Sequence, residues 1–272
     1  MSSNAQADGG RWSWSDPGVR TFLMIWTGQV VSLVGSGLTS FVLGVWVYQN
    51  TGSATLFALI AACAVLPGVV LSPLTGEVAD RRDRRWVMIL ADCGAALSTF
   101  VVFALYLGGR LEVWHIYLAT TATALCNAFQ APAYAASVAV LVPRRQLGRV
   151  NGLVQVERAA AILSPAVAAA LISAIGISGV ILIDFATFLF ATGTLLLVRI
   201  PRPEATTHGA DAVHGSLLQR AGYGWRYLGA RPGLLWLVVL MGISNFFIGL
   251  CSVLVTPLIL SFSSVGTLGK LM

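Results

Sequence analysis

The chain has 272 residues, 57% of them hydrophobic and only 10% charged, with a mean hydropathy of +0.81 and a formal net charge of +6. A soluble domain of this length needs far more polar surface, so the composition excludes one and indicates an all-α polytopic membrane protein. The alternation over about 10 residues that marks membrane barrel strands is absent, and the basic residues cluster between apolar segments, where they signal topology and not nucleic-acid binding.

Residues 1–20 are polar and lack a basic stretch followed by an apolar core and a cleavage site, so a cytoplasmic tail is expected and not a signal peptide. Seven segments then reach the length of about 20 apolar residues that a span requires: roughly 21–48, 54–78, 85–108, 113–141, 147–173, 178–199 and 232–260. The first carries Gln29, Ser32, Ser36 and Thr39 at helical spacing on one face. The second is small and proline-rich, with Pro67-Gly68 and Pro73. After it comes Gly76–Arg85, seven charged residues in ten positions, which reads as a short loop at a membrane surface. The third and sixth segments carry bulky residues such as Phe100, Phe103, Tyr106, Phe185, Phe188 and Phe190, and are expected to be lipid-like.

The fourth segment has a second polar stripe, Thr120, Thr123, Asn127, Gln130 and Tyr134. Ser, Thr and Gly recur wherever membrane helices pack closely, so the first stripe fits packing or a cavity equally well. The full amides of Asn127 and Gln130 favour a cavity for the fourth, because they need partners or water. The fifth segment repeats the small, proline-bearing pattern with Ser164-Pro165 and alanines. A linker over 200–231 follows, flexible over 201–216, with an interfacial helix expected over 217–228 from Tyr223, Trp225 and Tyr227. The seventh segment, within 232–272, carries a thinner stripe of Asn245, Ser252 and Thr256.

Charge sets the topology. Arg11 and Arg20 precede the first span, Arg81, Arg82, Arg84 and Arg85 follow the second, Arg144, Arg145 and Arg149 follow the fourth, and Arg199, Arg202, Arg220, Arg226 and Arg231 follow the sixth. The opposite loops hold Arg110 alone, so the N-terminus is expected in the cytoplasm and the protein in the plasma membrane. The basic face would also attract anionic lipid headgroups. Four ionisable residues fall inside spans: Asp92, Glu157, Arg158 and Asp184. Such residues are candidate functional groups because burying them unpaired is costly. Arg158 lies at a depth similar to Asp92 and Glu157, so an Asp92–Arg158 pair or a local pair is open, and a structural ion pair is preferred over a proton carrier. If a proton carrier exists it is Glu157 or Asp92, and Asp184 is the more structural member. The four cysteines lie singly in apolar segments and no two of the three histidines stand at metal spacing, so neither a disulfide framework nor a metal site is expected. No phosphate loop or nucleophile elbow is present, and no cofactor or enzyme activity is expected.

Every third segment has the same character, which makes segments one to three and four to six two related triplets, the unit of a large transporter fold. The chain resembles the N-terminal half of a major facilitator superfamily transporter, and is most similar to the macrolide-efflux branch of the drug:proton antiporters. Gly76, Asp80, Arg81, Arg84 and Arg85 match the family signature between helices two and three; Gln29, Ser32, Gly35, Trp46, Thr51-Gly52-Ser53, Pro143, Asn151, Asp184 and Phe188 extend the likeness over about 20–260. Asp83 departs from it, standing where the signature often has glycine and suited to capping helix three. Helix four has no charge, although many relatives place an arginine there, and the helix-five match to the antiporter motif is weak.

The resemblance implies a six-helix N-terminal bundle over 21–199 plus a seventh helix, with export of an amphipathic small molecule by alternating access and proton antiport. It implies that Gly76, Asp80, Arg81, Arg84 and Arg85 gate the conformational change. Gly76 and Asp80 would meet a helix of the other half, and the arginines would meet headgroups or an acidic partner. Candidate cavity-lining residues are Gln29, Ser32, Ser36, Thr39, Thr123, Asn127, Gln130 and Asn245. The family fold has twelve helices and this sequence ends after the seventh, so the expectation is a fragment, or a C-terminal half supplied in cis or in trans. Two other readings stay open: a dedicated exporter of a siderophore or other natural product, and a seven-helix membrane protein that does not transport.

Overall fold

The computed structural model describes residues 16–201 and 229–262, without the side chains of Pro73, Glu77, Asp80, Arg81, Ser252 and 260–262. The N-terminal tail, the expected interfacial helix and the segment after Phe262 lie outside the described residues.

Local sequence signals set the helix ends. α1 (Pro17–Thr51) starts four residues before the apolar core, because the Asp16 carboxylate accepts the Gly18 N–H at 2.9 Å and Pro17 suits the first turn. α2 (Ala54–Arg81) is capped by Ser53, whose hydroxyl accepts the Leu56 N–H at 3.3 Å. α3 (Arg84–Leu107) is capped by Asp83, whose carboxylate accepts the Arg85 N–H at 3.1 Å. Gly76–Arg85 is therefore not a loop, as its charge density suggests. Most of it is the last turns of α2 and the first of α3, and only Arg82 and Asp83 connect them.

α4 (Val113–Leu141) starts where the Glu112 N–H donates to His115 Nδ1 at 3.0 Å, and a single 3-10 turn, Arg144–Gln146, follows it. The stretch Leu147–Leu197 is two helices broken at Gly176, whose φ of 70° and ψ of 179° fit a residue without Cβ. We name them α5 (147–175) and α6 (177–197). α7 (Pro232–Phe262) completes seven helices among the described residues, and the six continuous stretches they form, α5 and α6 being one, are each long and apolar enough to span. No strand occurs among them, in agreement with the all-α reading.

α1 is the central post. It packs along α5 and α6, while α2 packs on α4 and α3 on α4 and α6. Three apolar clusters stack along it. Phe22 and Ile25 meet Met88, Leu141 and Leu195 at the arginine-bearing end; Leu38 and Val42 meet Ala168 and Val180 further along; Val47 meets Ile60, Val102, Ile116 and Ile181 at the opposite end. With lipid as the alternative environment, such contacts stabilise through close packing and not through escape from water.

The expected lipid-like character of α3 and α6 is corrected here. Each buries one face, including Met88, Ala95, Thr99, Asp184, Phe188 and Leu195, and exposes the other, including Phe100 and Phe190. α2 is the more exposed helix, with Val65, Leu66, Val69 and Val70 all at least 59% accessible. Bulk alone did not show which face points inward, because α3 and α6 mix aromatic residues with small and polar ones around the turn. α7 touches α2, buries Thr256 and leaves most of its surface open.

Candidate functional site

Two buried carboxylates sit at different levels of the bundle. Asp92 on α3 is 1% accessible. Gln130 Nε2 on α4 donates to its Oδ1 at 2.6 Å, and Gln29 Nε2 on α1 donates to its Oδ2 at 3.3 Å. Gln130 Nε2 also donates to Gln29 Oε1 at 2.7 Å, so three helices are tied by one amide–carboxylate knot. Arg158 is exposed on α5, and the expected Asp92–Arg158 pair does not form. The side chains of α1 and α4 reach Asp92 first, since Gln29 and Gln130 face the axis of the bundle while Arg158 points outward.

Two turns along, Asp184 on α6 is 2% accessible. Ser36 on α1 donates to Oδ1 and Thr99 on α3 to Oδ2, each at 3.4 Å. The pairings share a register: Gln29 and Ser36 on α1, and Asp92 and Thr99 on α3, are seven residues apart, about 10.5 Å along each helix. Asp184 opens on a cavity of about 340 Å³ bounded by α1, α2, α3, α4 and α6. Ser36, Thr39, Ser40, Thr99, Thr120, Thr123 and Asn127 line it, with Ala64 and Gly68 on the α2 side. No basic side chain lines it.

The sequence-predicted lining thus divides. Ser36, Thr39, Thr123 and Asn127 line this cavity. Gln29 and Gln130 belong to the Asp92 knot, and Ser32 is buried on the same face of α1. Asn245 is exposed on α7, its amide donating to the Met241 carbonyl at 2.8 Å, and does not reach the cavity. Asp184, expected to be mainly structural, forms part of the cavity wall. Thr99 was missed, although its position two turns beyond Asp92 was a usable signal. Glu157 is half-buried and accepts from the Tyr134 hydroxyl at 3.0 Å.

The arginines after α2 also have definite places. Arg84 Nη1 donates to the Ala136 carbonyl of α4 at 2.9 Å. Arg85 Nε and Nη2 donate at 2.8 Å to the Leu195 and Leu196 carbonyls in the last turn of α6. Those carbonyls lie where a helix runs out of its own donors, and a cation there opposes the negative end of the helix dipole. Arg84 and Arg85 therefore turn inward to backbone, in place of the expected headgroup or acidic partner. A Cβ at Gly76 would meet nothing within 4 Å among the described residues. The side chains of Asp80 and Arg81 lie outside the description. No group of three His, Cys, Asp or Glu able to hold a metal occurs among the described residues.

Comparison with known proteins adds a family. The model of the Major Facilitator Superfamily matches residues 25–269. Macrolide efflux protein A of Streptococcus pyogenes is 35% identical over 184 residues, covering 66% of this chain and 45% of that protein. Macrolide efflux protein A of Enterococcus faecalis is 36% identical over 154 residues, covering 56% and 47%. An uncharacterized MFS-type transporter, YfiS of Bacillus subtilis, is 27% identical over 176 residues, covering 64% and 40%. The chain spans about half the length of these curated relatives or less.

Proposed function

The chain belongs to the major facilitator superfamily, and we propose that it serves as one bundle of an exporter that moves an amphipathic, macrolide-like small molecule out across the plasma membrane by proton antiport. The observation that carries this reading is the cavity at Asp184. It is a polar-lined space of about 340 Å³ inside a bundle of membrane-spanning helices, within the range of about 300–1,000 Å³ usual for ligand sites. Its hydroxyls and amide suit the polar groups of such a molecule, and Leu43 and Val102 suit its apolar body. The similarity to macrolide efflux proteins supports the direction and the ligand class.

In this proposal the bundle rocks against a second one, supplied in cis or in trans, with the N-terminus and the arginine-bearing end in the cytoplasm. Gly76, Asp80 and Arg81 at the end of α2 face that second bundle. Arg84 and Arg85 hold α3 to α4 and α6, so the gate moves as one body; a switch of this kind is biased by about 1–3 kcal/mol. Asp92 is the proposed proton carrier, with Glu157 second. Neutral amides and not a cation hold Asp92, so a proton can enter and leave without breaking an ion pair.

The test is uptake of a radiolabelled macrolide into inverted vesicles that contain the transporter assembled with its second bundle. An imposed proton gradient is expected to drive uptake and an uncoupler to abolish it, with Asp92→Asn removing the gradient dependence. Uptake that ignores the gradient would sink proton coupling, and absence of any macrolide movement would sink the substrate class. Asp80→Asn is expected to lower the rate at least about ten-fold, corresponding to about 1.4 kcal/mol at the barrier; an unchanged rate removes Asp80 from the gate.

A further inference from the structure

We propose that Asp184, Ser36, Thr39 and Thr99 form a binding site for a single sodium ion, buried where α1, α3 and α6 meet at the cavity wall. Comparison of the two buried aspartates within one chain motivates it. Asp92 is closed by a short bond of 2.6 Å from Gln130. Around Asp184 the geometry is loose: Ser36 and Thr99 stand 3.4 Å from its two oxygens, whereas a hydroxyl donating to a carboxylate settles at about 2.5–2.7 Å. Thr39, 7% accessible and on the same cavity wall, has a buried hydroxyl with no close hydrogen-bond partner among the described residues.

A single carboxylate with neutral hydroxyls gathered beside it is the kind of oxygen set that a hard cation takes. A cation of calcium's size holds oxygens at about 2.3–2.6 Å, which places neighbouring oxygens of one shell about 3.4 Å apart. The Ser36 and Thr99 separations match that edge. Sodium has nearly calcium's size but one charge, and the site offers one carboxylate and neutral hydroxyls. No second carboxylate lines the cavity to balance a divalent ion. Potassium, being larger, needs a wider shell.

The backbone makes room for this arrangement. Gly35 lets α6 approach α1 so closely that a Cβ there would meet Asp184 Oδ1 at 2.9 Å. The Thr187 hydroxyl donates to the Asp184 backbone carbonyl at 2.7 Å. No cation pairs with Asp184 among the described residues, so a bound sodium would supply the counter-charge that an intramembrane carboxylate ordinarily finds in an arginine or lysine.

The inference stands apart from export, because binding is read at equilibrium on this chain alone and either reading can fail without the other. The experiment is binding of radioactive sodium to the purified 272-residue chain in lipid nanodiscs. Saturable binding is expected, displaced by unlabelled sodium and not by equal potassium, choline or methylammonium. Asp184→Asn is expected to abolish it. Thr39→Val is expected to weaken it by about ten-fold or more, the scale on which loss of a supporting group acts at metal sites, with Thr39→Ser restoring it. Absence of saturable binding overturns the proposal. So does binding that survives Asp184→Asn, or equal displacement by potassium or an organic ammonium. Should Asp184→Asn fail to fold, the Thr39→Val and Thr39→Ser pair decides, since the first keeps the shape and removes the hydroxyl while the second keeps the hydroxyl.

Discussion

At Asp92 and Gly35 single atoms decide the outcome. Gln130 Nε2 bonds both Asp92 Oδ1 and Gln29 Oε1, so Gln130→Leu strands one buried and one half-buried acceptor at once. It is expected to cost about 1–3 kcal/mol, seen as a lower melting temperature in detergent. A melting curve unchanged from the parent would mean the knot contributes nothing. At Gly35 the added methyl of Gly35→Ala must displace Asp184 or Thr187, and overpacking of this kind costs about 1–3 kcal/mol. The same substitution at Gly76 meets nothing within 4 Å among the described residues and is expected to leave the melting temperature of this chain unchanged. The two glycines look alike in sequence, and only their surroundings separate a packing role from a free surface.

On the scale of elements, the α2–α3 connection works as a clasp. Asp83 starts α3 and Arg85 ends α6, so one short charged segment fixes two helix termini. Arg85→Gln is expected to speed amide exchange in the last turn of α6, around Leu195–Leu197, with little effect on the middle of that helix. Arg85→Lys is expected not to restore protection, since an ammonium cannot reproduce a planar fork bonding two successive carbonyls. Exchange rates equal to the parent's in both variants would show the clasp to be idle. The sequence carried half of this: Asp83 is a readable N-cap, while nothing local to Arg85 names Leu195 and Leu196, more than a hundred residues away.

For the molecule as a whole, charge asymmetry and the exposed apolar faces make one testable statement about orientation. With the N-terminus and the arginine-bearing end inside, Arg82→Cys is expected to react with an impermeant maleimide only in inverted vesicles, and Arg110→Cys only in intact cells, each in a background lacking the four native cysteines. The opposite pattern would invert the topology. The exposed apolar surface of α2, including Val65, Leu66, Val69 and Val70, lies on the helix that carries Gly76 and Asp80, and it is a face open to the second bundle of the proposed function.

The sequence by itself determined the class, the number of spans among the described residues, and most helix limits to within a few residues. Length and hydropathy are properties of continuous segments, and caps act within one turn. It also placed Ser36 and Thr39 on one stripe and Thr123 and Asn127 on another, because polar residues at helical spacing share a face, and the structure brings both stripes to one cavity. Tertiary structure alone decided that Asp92 meets Gln29 and Gln130 and not Arg158, that Asp184 belongs to the cavity, and that the arginines bind carbonyls. Those outcomes depend on the rotation of each helix about its axis and on its neighbours. Helix rotation is fixed by close packing at positions such as Gly35, through contacts between residues far apart in the chain that no local pattern encodes.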